Sequence, residues 1–348
     1  MFSRLPRFRR RLRDTITGMR TRTVVAGAFL ALAALGLCAQ TPDFNVKKIG
    51  EGVYAAIGAD GGKAGSNAGF VVGSNGVLVV DTFEGVEPAR ALLAEVRKVT
   101  NLPIRFVVNT HYHLDHTGGN AVFAEAGATI VAHKNLRGWL RTENLKFFGP
   151  NPKPEQKAMV EALVLPEELY SDAVDIYLGS RQIQVRYMLG HTGGDSVVLV
   201  PDANVIFAGD LVWQKHLPNL IDATTSEWVK TLEKLLSDHP SATFVSGHGD
   251  VATPADVRDF HDYLVTLREE VARAQSAGKS DKDLVDAVLP QLKQKYGECD
   301  AAAPPGSAPT EHCWGFFKAF SARNIMQTAA ELAGTKKVPT PAAEAGGK

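Results

Sequence analysis

Residues 111–116 read His-Tyr-His-Leu-Asp-His, directly after an apolar run from Ile104 to Val108. That run has the length and β-branched content of a buried strand, so the six residues occupy the turn at its end. Four side chains suited to divalent cations, His111, His113, Asp115 and His116, can converge there on one cavity. Imidazole and carboxylate are ordinary zinc ligands. Side-chain alternation at the extended start puts His111 and His113 on the same side. The turn that follows aims Asp115 and His116 elsewhere, toward a second ion.

Alone, such a cluster also describes a solvated surface loop. Three later elements argue for a built site. His191 in Leu189-Gly190-His191-Thr192-Gly193-Gly194, Asp210 in Ala208-Gly209-Asp210 and His248 in Ser246-Gly247-His248-Gly249 each set a His or Asp beside Gly at or near the end of an apolar run. Gly has no Cβ, so the backbone can approach a metal closely there. His133, His239, His261 and His312 lack such surroundings and read as surface or packing residues. Lys215 and His216, just after Asp210, are candidate contacts for a substrate carboxylate.

Around these motifs, strand-like and helix-like segments alternate. Phe44 to Ile49 and Val53 to Ile57 form a hairpin, and residues 68–72 and 77–80 are buried strands. A helix follows from Pro88 to Val99, with Pro in its first turn and Ala91, Leu92, Val96 and Val99 on one face. After the strand at Ile104 to Val108 come a helix (Asn120 to Ala126), a strand (Thr129 to Ala132) and a helix (Asn135 to Arg141). Four strands are then expected, at 174–178, 183–188, 196–200 and 205–207. A helix at Thr225 to Leu236, a strand at Thr243 to Val245 and a long helix from Ala255 to Ala274 complete the alternation. This is layered α/β packing with helices covering sheets, and periodicity leaves open whether the sheet is doubly wound or part of a sandwich. Residues 147–170, with four Pro, interrupt the pattern as a surface insertion or a wall of the site. The Gly-rich 58–69 stretch is a hairpin turn or a flap. Residues 276–348 form an extension of two helices, Asp281 to Lys295 and His312 to Leu332, ending in a disordered tail.

The N-terminus reads as a signal for export. Eight Arg precede an apolar run from Val24 to Ala39, and Gln40-Thr41-Pro42-Asp43 breaks it. A basic flank, a short apolar core and small residues near the exit make residues 1–39 a cleavable signal peptide; the run falls short of the ~20 apolar residues that span a bilayer. The protein is then periplasmic or secreted, with no membrane attachment after cleavage. The chain holds 38 basic and 38 acidic residues, and residues 1–39 contain the eight Arg and one acid, Asp14. Maturation therefore leaves 30 against 37, a charge of about −7. An acidic surface offers nucleic acid no electrostatic footprint. Cys299 and Cys313 survive maturation, and an even pair in an oxidising compartment is expected to form a disulfide.

The ordered set His-x-His-x-Asp-His, Gly-His-Thr, Gly-Asp and Gly-His-Gly resembles the motif set of the metallo-β-lactamase superfamily, over roughly residues 44–275. The resemblance implies an αββα sandwich, here a catalytic domain over residues 40–275. It implies that His111, His113 and His191 hold one metal, that Asp115, His116 and His248 hold a second, and that Asp210 bridges the two. It implies two zinc ions per chain. Asp81, after the Val77 to Val80 strand, matches the family's early Asp, which supports the metal-binding loop from behind. Two residues depart from the best-known zinc β-lactamase subclass, which has Cys where this chain has Asp210 and Arg where it has His116. The all-His/Asp set is closer to thioester, lactone and sulfate-ester hydrolases or to other lactamase branches. The flavodiiron branch has Glu at the position of His113, which argues against iron redox chemistry.

The resemblance therefore implies an exported dinuclear zinc hydrolase that is β-lactamase-like and cleaves an amide, thioester or ester bond of a small molecule. A thioester or lactone hydrolase of the glyoxalase II kind is the close alternative, and a metal-binding protein without activity is another. Two cations sharing a water lower its pKa from ~15.7 toward ~7, so hydroxide is the nucleophile at neutral pH. Asp115 is the candidate catalytic residue, orienting that nucleophile and relaying a proton. Substrate and oligomeric state stay open.

Overall fold

A computed structural model describes residues 43–59, 61–297 and 314–340. The expected signal peptide, the Cys299–Cys313 pair, His312 and the end of the tail lie outside the described residues.

Seven strands form the first sheet in chain order: β1 (Phe44–Gly50), β2 (Val53–Gly58), β3 (Ala68–Val72), β4 (Val77–Val80), β5 (Ile104–Val108), β6 (Thr129–His133) and β7 (Glu168–Tyr170). Strands β1 to β4 pair antiparallel, and β4 to β7 pair parallel. Parallel neighbours need crossovers. These are α1 (Val86–Val99), the pair α2 (Leu114–Thr117) and α3 (Asn120–Glu125), and the pair α4 (Lys134–Trp139) and α5 (Pro154–Glu161). The second sheet runs in the order β13-β12-β11-β10-β9-β8. Its strands are β8 (Ala173–Leu178), β9 (Arg181–Tyr187), β10 (Ser196–Val200), β11 (Val205–Trp213), β12 (Thr243–His248) and β13 (Val251–Ala252). Its one parallel pair, β11 with β12, is joined through α6 (Thr225–Asp238).

Three apolar layers stack through the molecule. Between the sheets, Leu78, Val80 and Val108 meet Val185, Val198 and Phe207. On the outside of the first sheet, Val79 and Val107 pack on Leu92, Val96 and Phe123 of α1 and α3. On the outside of the second, Ile206 and Phe244 pack on Trp228 of α6 and on Phe260 and Leu264 of α7 (Pro254–Ser276). Strands β4 and β10 are buried along their whole length, as strands covered on both faces must be. The architecture is αββα, the sandwich that the motif resemblance implied.

Several sequence expectations shift in detail. On α1 the buried stripe is Ala89, Leu92 and Val96, while Ala91 and Val99 are exposed. Ala91 is one residue from Leu92 and so stands about 100° around the helix. Strand β11 extends six residues past the expected 205–207 and carries Asp210 within it. Residues 147–170 hold the end of a 3-10 helix (Asn144–Phe148), α5 and the edge strand β7. The C-terminal helices are α8 (Asp281–Tyr296) and α9 (Phe317–Leu332). Leu284, Val288 and Leu292 of α8 and Ile325 and Ala329 of α9 join the apolar cluster that contains Trp228 and Phe260. The extension thus continues the helical layer over the second sheet.

Candidate metal centre

The loop from β5 into α2 and the C-terminal ends of β11 and β12 meet at one edge of the sandwich. There the ligand atoms of His111, His113, His191 and Asp210 lie within 4.8 Å of one another, as do those of Asp115, His116 and His248. Asp210 stands between the groups. Its Oδ2 is 3.1 Å from His191 Nε2 and 3.7 Å from His111 Nε2, and its Oδ1 is 3.1 Å from His116 Nε2 and 3.4 Å from His248 Nε2. Asp115 Oδ2 is 3.3 Å from His248 Nε2 and 3.6 Å from His116 Nε2. All seven expected residues come together in the two groupings anticipated.

Close backbone approach explains the glycines. A Cβ on Gly247 would lie 1.9 Å from Asp210 Oδ1, so only Gly lets β12 pass beside the bridging carboxylate. At Gly65, φ +81°, a Cβ would lie 3.0 Å from Asp115 Cβ and 2.8 Å from Glu84 Oε2. The end of the Gly-rich stretch is fastened at residues 66 and 67: Asn67 Nδ2 donates to the carbonyls of Ser246 and Gly249, and Ser66 Oγ donates to the carbonyl of Asp115.

The buried donor atoms fit divalent cations. Nε2 of His111, Nε2 of His116 and Oδ1 of Asp210 are buried and make no hydrogen bond, which is costly unless another partner compensates them. His191 Nε2 and His113 Nδ1 sit 3.0 Å apart, as two ligands of one ion would. Burial, with the neighbouring rings, holds His111 well below the ordinary imidazole range, and burial likewise lowers His113. Burial opposes charge on His116 and His248 too. Asp210 and Asp115 outweigh it, with Asp81 adding to them at His116, so His116 rises well above that range and His248 rises to about 9. Burial would raise Asp210, but His248, His116, His191 and His111 hold it well below the usual carboxylate range.

Behind the ligands, Asp81 has φ +58°, in the left-handed region that Asp tolerates better than most residues. Its carboxylate takes hydrogen bonds from Thr110 N at 2.8 Å and Thr110 Oγ1 at 2.7 Å, and it pairs with His116 Nδ1 at 2.8 Å. That contact leaves His116 Nε2 facing Asp210. Asp222, which sequence reasoning missed, does the same for His113. Its Oδ2 lies 3.3 Å from His113 Nε2 and accepts from the Tyr112 hydroxyl, while its Oδ1 accepts from Lys146 Nζ at 2.6 Å. Burial would raise the Asp222 carboxyl, but the bonds from His113, Lys146 and Tyr112 hold it well below the ordinary range. Nothing in Ile221-Asp222-Ala223 marks it, because its partners arrive from residues 112–146 through the fold.

A cavity of about 340 Å³ opens over the centre. Asp115, Asp210 and His248 reach into it, between walls of Phe147, Phe148, Phe316 and Phe320. Of the candidate substrate contacts, Lys215 is exposed and does not line this cavity; its carbonyl instead accepts from Gly315 N at 2.8 Å. His216 faces a smaller adjoining groove of about 200 Å³ beside His248, with Nδ1 2.8 Å from the Gln214 carbonyl. His133 stacks on Tyr187 at 4.3 Å, away from the centre.

Fold and site both carry the mark of a known class of metallo-hydrolases. A sequence model described as the metallo-beta-lactamase superfamily matches residues 61–248, and the chain belongs to that superfamily. A metallo-beta-lactamase type 2 of Elizabethkingia meningoseptica is 26% identical over 232 residues, covering 64% of this chain and 86% of that protein. One from Bacteroides fragilis is 24% identical over 217 residues, 60% of this chain and 80% of that one. A linear primary-alkylsulfatase of a Pseudomonas species is 23% identical over 271 residues, or 64% of this chain, and the chain spans about half (51%) of that relative's length. Among solved structures, a metallo-beta-lactamase from Pontibacter korlensis has the same fold, with a TM-score of 0.51 and 23% identity, covering 64% of this chain and 99% of that one.

Proposed function

We propose that the protein is a dinuclear zinc hydrolase that cleaves an amide, thioester or ester bond in a small molecule. The observation that carries this reading is Asp210, with one oxygen turned to each of two His-rich groups in which His111 Nε2 and His116 Nε2 are buried without a hydrogen-bond partner. His111, His113 and His191 would hold one ion, and Asp115, His116 and His248 the other, with Asp210 between them. The ions would supply Lewis acidity and an acidified water at neutral pH. The chain's own residues do the rest. Asp222 and Asp81 fix which ring nitrogen of His113 and of His116 faces inward. Asp115, the most accessible carboxylate of the set, with a side chain 27% exposed, accepts a proton from the attacking water and passes it to the leaving group. The aromatic walls limit bulk water.

Residues 1–39 are proposed to direct export and to be removed, which recovery of a protein lacking them from the periplasmic fraction would test. The catalytic reading is tested with purified wild type and His113→Ala. Zinc content and hydrolysis of penicillins, carbapenems, acyl thioesters, homoserine lactones and alkyl sulfates are measured. Wild type is expected to hold about two zinc ions and turn over at least one class, and the variant to lose both properties. A variant with full zinc content and full turnover would sink the assignment.

A further inference from the structure

Among the described residues just two phenylalanines are exposed, Phe147 at 39% and Phe316 at 42%. Both line the cavity over the metal centre. They come from unrelated parts of the chain. The ring of Phe147, on the 3-10 helix Asn144–Phe148, stands edge-on to His113 at 4.9 Å. That helix is pinned by Asn144 Nδ2, which donates to the carbonyls of Tyr112 and Leu140. Phe316 belongs to the C-terminal extension. The bridge between Gly315 and His216 docks its segment beside the end of β11, with Leu217 N donating to the Gly315 carbonyl at 3.0 Å. Its ring approaches His216, Phe320, Trp213 and His248 at 5.0 to 6.2 Å.

Phe316 is also at φ +61°, a conformation suited to Gly and unusual for a bulky residue. Neither backbone preference nor core burial accounts for a phenylalanine at this position. Contact with a ligand would account for it, since an apolar group filling the cavity would cover both exposed rings. No Lys or Arg is among the described residues that line the cavity; Glu84, Asn144 and Asn219 are polar points on a wall otherwise formed largely by phenylalanine rings.

We propose that Phe316, backed by Phe320 and opposed by Phe147 and Phe148, is a specificity-determining residue that selects substrates whose acyl arm is apolar, alkyl or aryl. The inference rests on the hydrolase reading for the word substrate, but it can be tested without turnover. The probes are acetate, butyrate, hexanoate and phenylacetate, stand-ins for the acid product of acyl cleavage. Their binding to the zinc-loaded protein is measured by calorimetry. Hexanoate and phenylacetate are expected to bind about tenfold or more tighter than acetate, the discrimination a hydrophobic pocket gives. Phe316→Gly removes the ring and relieves the positive φ, so it should fold at least as well as wild type. It should erase most of that preference, and Phe320→Ala should weaken it less. Equal affinity for all four acids, no binding of any, or a preference untouched in Phe316→Gly would overturn the proposal. A preserved ladder in a protein that hydrolyses nothing would refute the hydrolase reading and leave this one standing. Turnover with a flat ladder would do the reverse.

Discussion

At the scale of single residues, the centre depends on side chains that touch no ion. Asp222 holds His113 Nε2 so that Nδ1 faces the cluster. Removing such a partner usually costs 10- to 100-fold in metal affinity. Asp222→Asn should therefore weaken zinc binding by roughly that factor while His113 stays in place. Competition with a chromophoric chelator reads the change, and an unaltered affinity would show that Asp222 serves packing alone. Gly247→Ala tests the close approach. Its methyl would overlap Asp210 Oδ1, so the bridging carboxylate must move, and the variant should bind fewer zinc equivalents than wild type while keeping its secondary structure by circular dichroism. Gly247 is legible in the sequence because its motif neighbours a ligand. Asp222, Lys146 and Phe316 are not, since each gains its role from partners distant in the chain. No local period or spacing encodes such contacts.

Among elements, the sequence located strands and helices well and their arrangement poorly. Strands β4 and β10 are buried on both faces, so they lack the alternation that would say which side meets water. Without the motifs, a doubly wound sheet and a sandwich therefore have the same sequence pattern. The extension shows a similar limit: α8 and α9 have amphipathic patterns, but the pattern does not say what they cover. In the fold, Glu331 of α9 accepts from Thr225 N at 2.9 Å and Ser226 N at 3.0 Å at the start of α6, and from Arg268 Nη1 at 2.8 Å. A carboxylate at a helix N-terminus is stabilising. Hydrogen bonds to a charged group contribute about 1.5–3 kcal/mol, so Glu331→Gln should lower unfolding stability by about 1–2 kcal/mol, read from urea denaturation. Lys336, just beyond α9, donates to the carbonyls of Leu220 and Ala223, which flank Asp222. Burial brings its ammonium down to about 8. Below pH 8 the folded protein carries a charge it disfavours. Between there and the free-lysine value of about 10.4 the folded form releases its proton before the unfolded one does, so this residue's contribution to stability rises with pH. The stability of wild type relative to Lys336→Met should shift toward wild type from pH 8 to 10, and a pH-independent difference would reject the assignment.

For the molecule as a whole, the centre is a seam. His111, His113 and His116 follow β5 of the first sheet, whereas Asp210 and His248 are carried by β11 and β12 of the second. Any ion bound by these residues ties the two sheets together at one edge, where the apolar layer between them ends. The metal-free centre would hold three buried or half-buried carboxylates, Asp81, Asp115 and Asp210, among the five histidines of the same cluster, His111, His113, His116, His191 and His248. Such a cluster without cations is costly to bury. Ligand linkage then sets the size of the effect. An ion present at about 1,000 times its dissociation constant stabilises the folded state by about 4 kcal/mol, which for a chain of this size corresponds to roughly 10 °C in Tm. Chelation should therefore lower Tm by that order, and adding zinc back should restore it. Hydrogen exchange should quicken first at the C-terminal ends of β5, β11 and β12, while β8, at the edge of the second sheet three strands from β11, keeps its protection. A melting curve indifferent to chelator, in a protein shown to have released its metal, would mean that the seven residues converge for a reason other than holding ions.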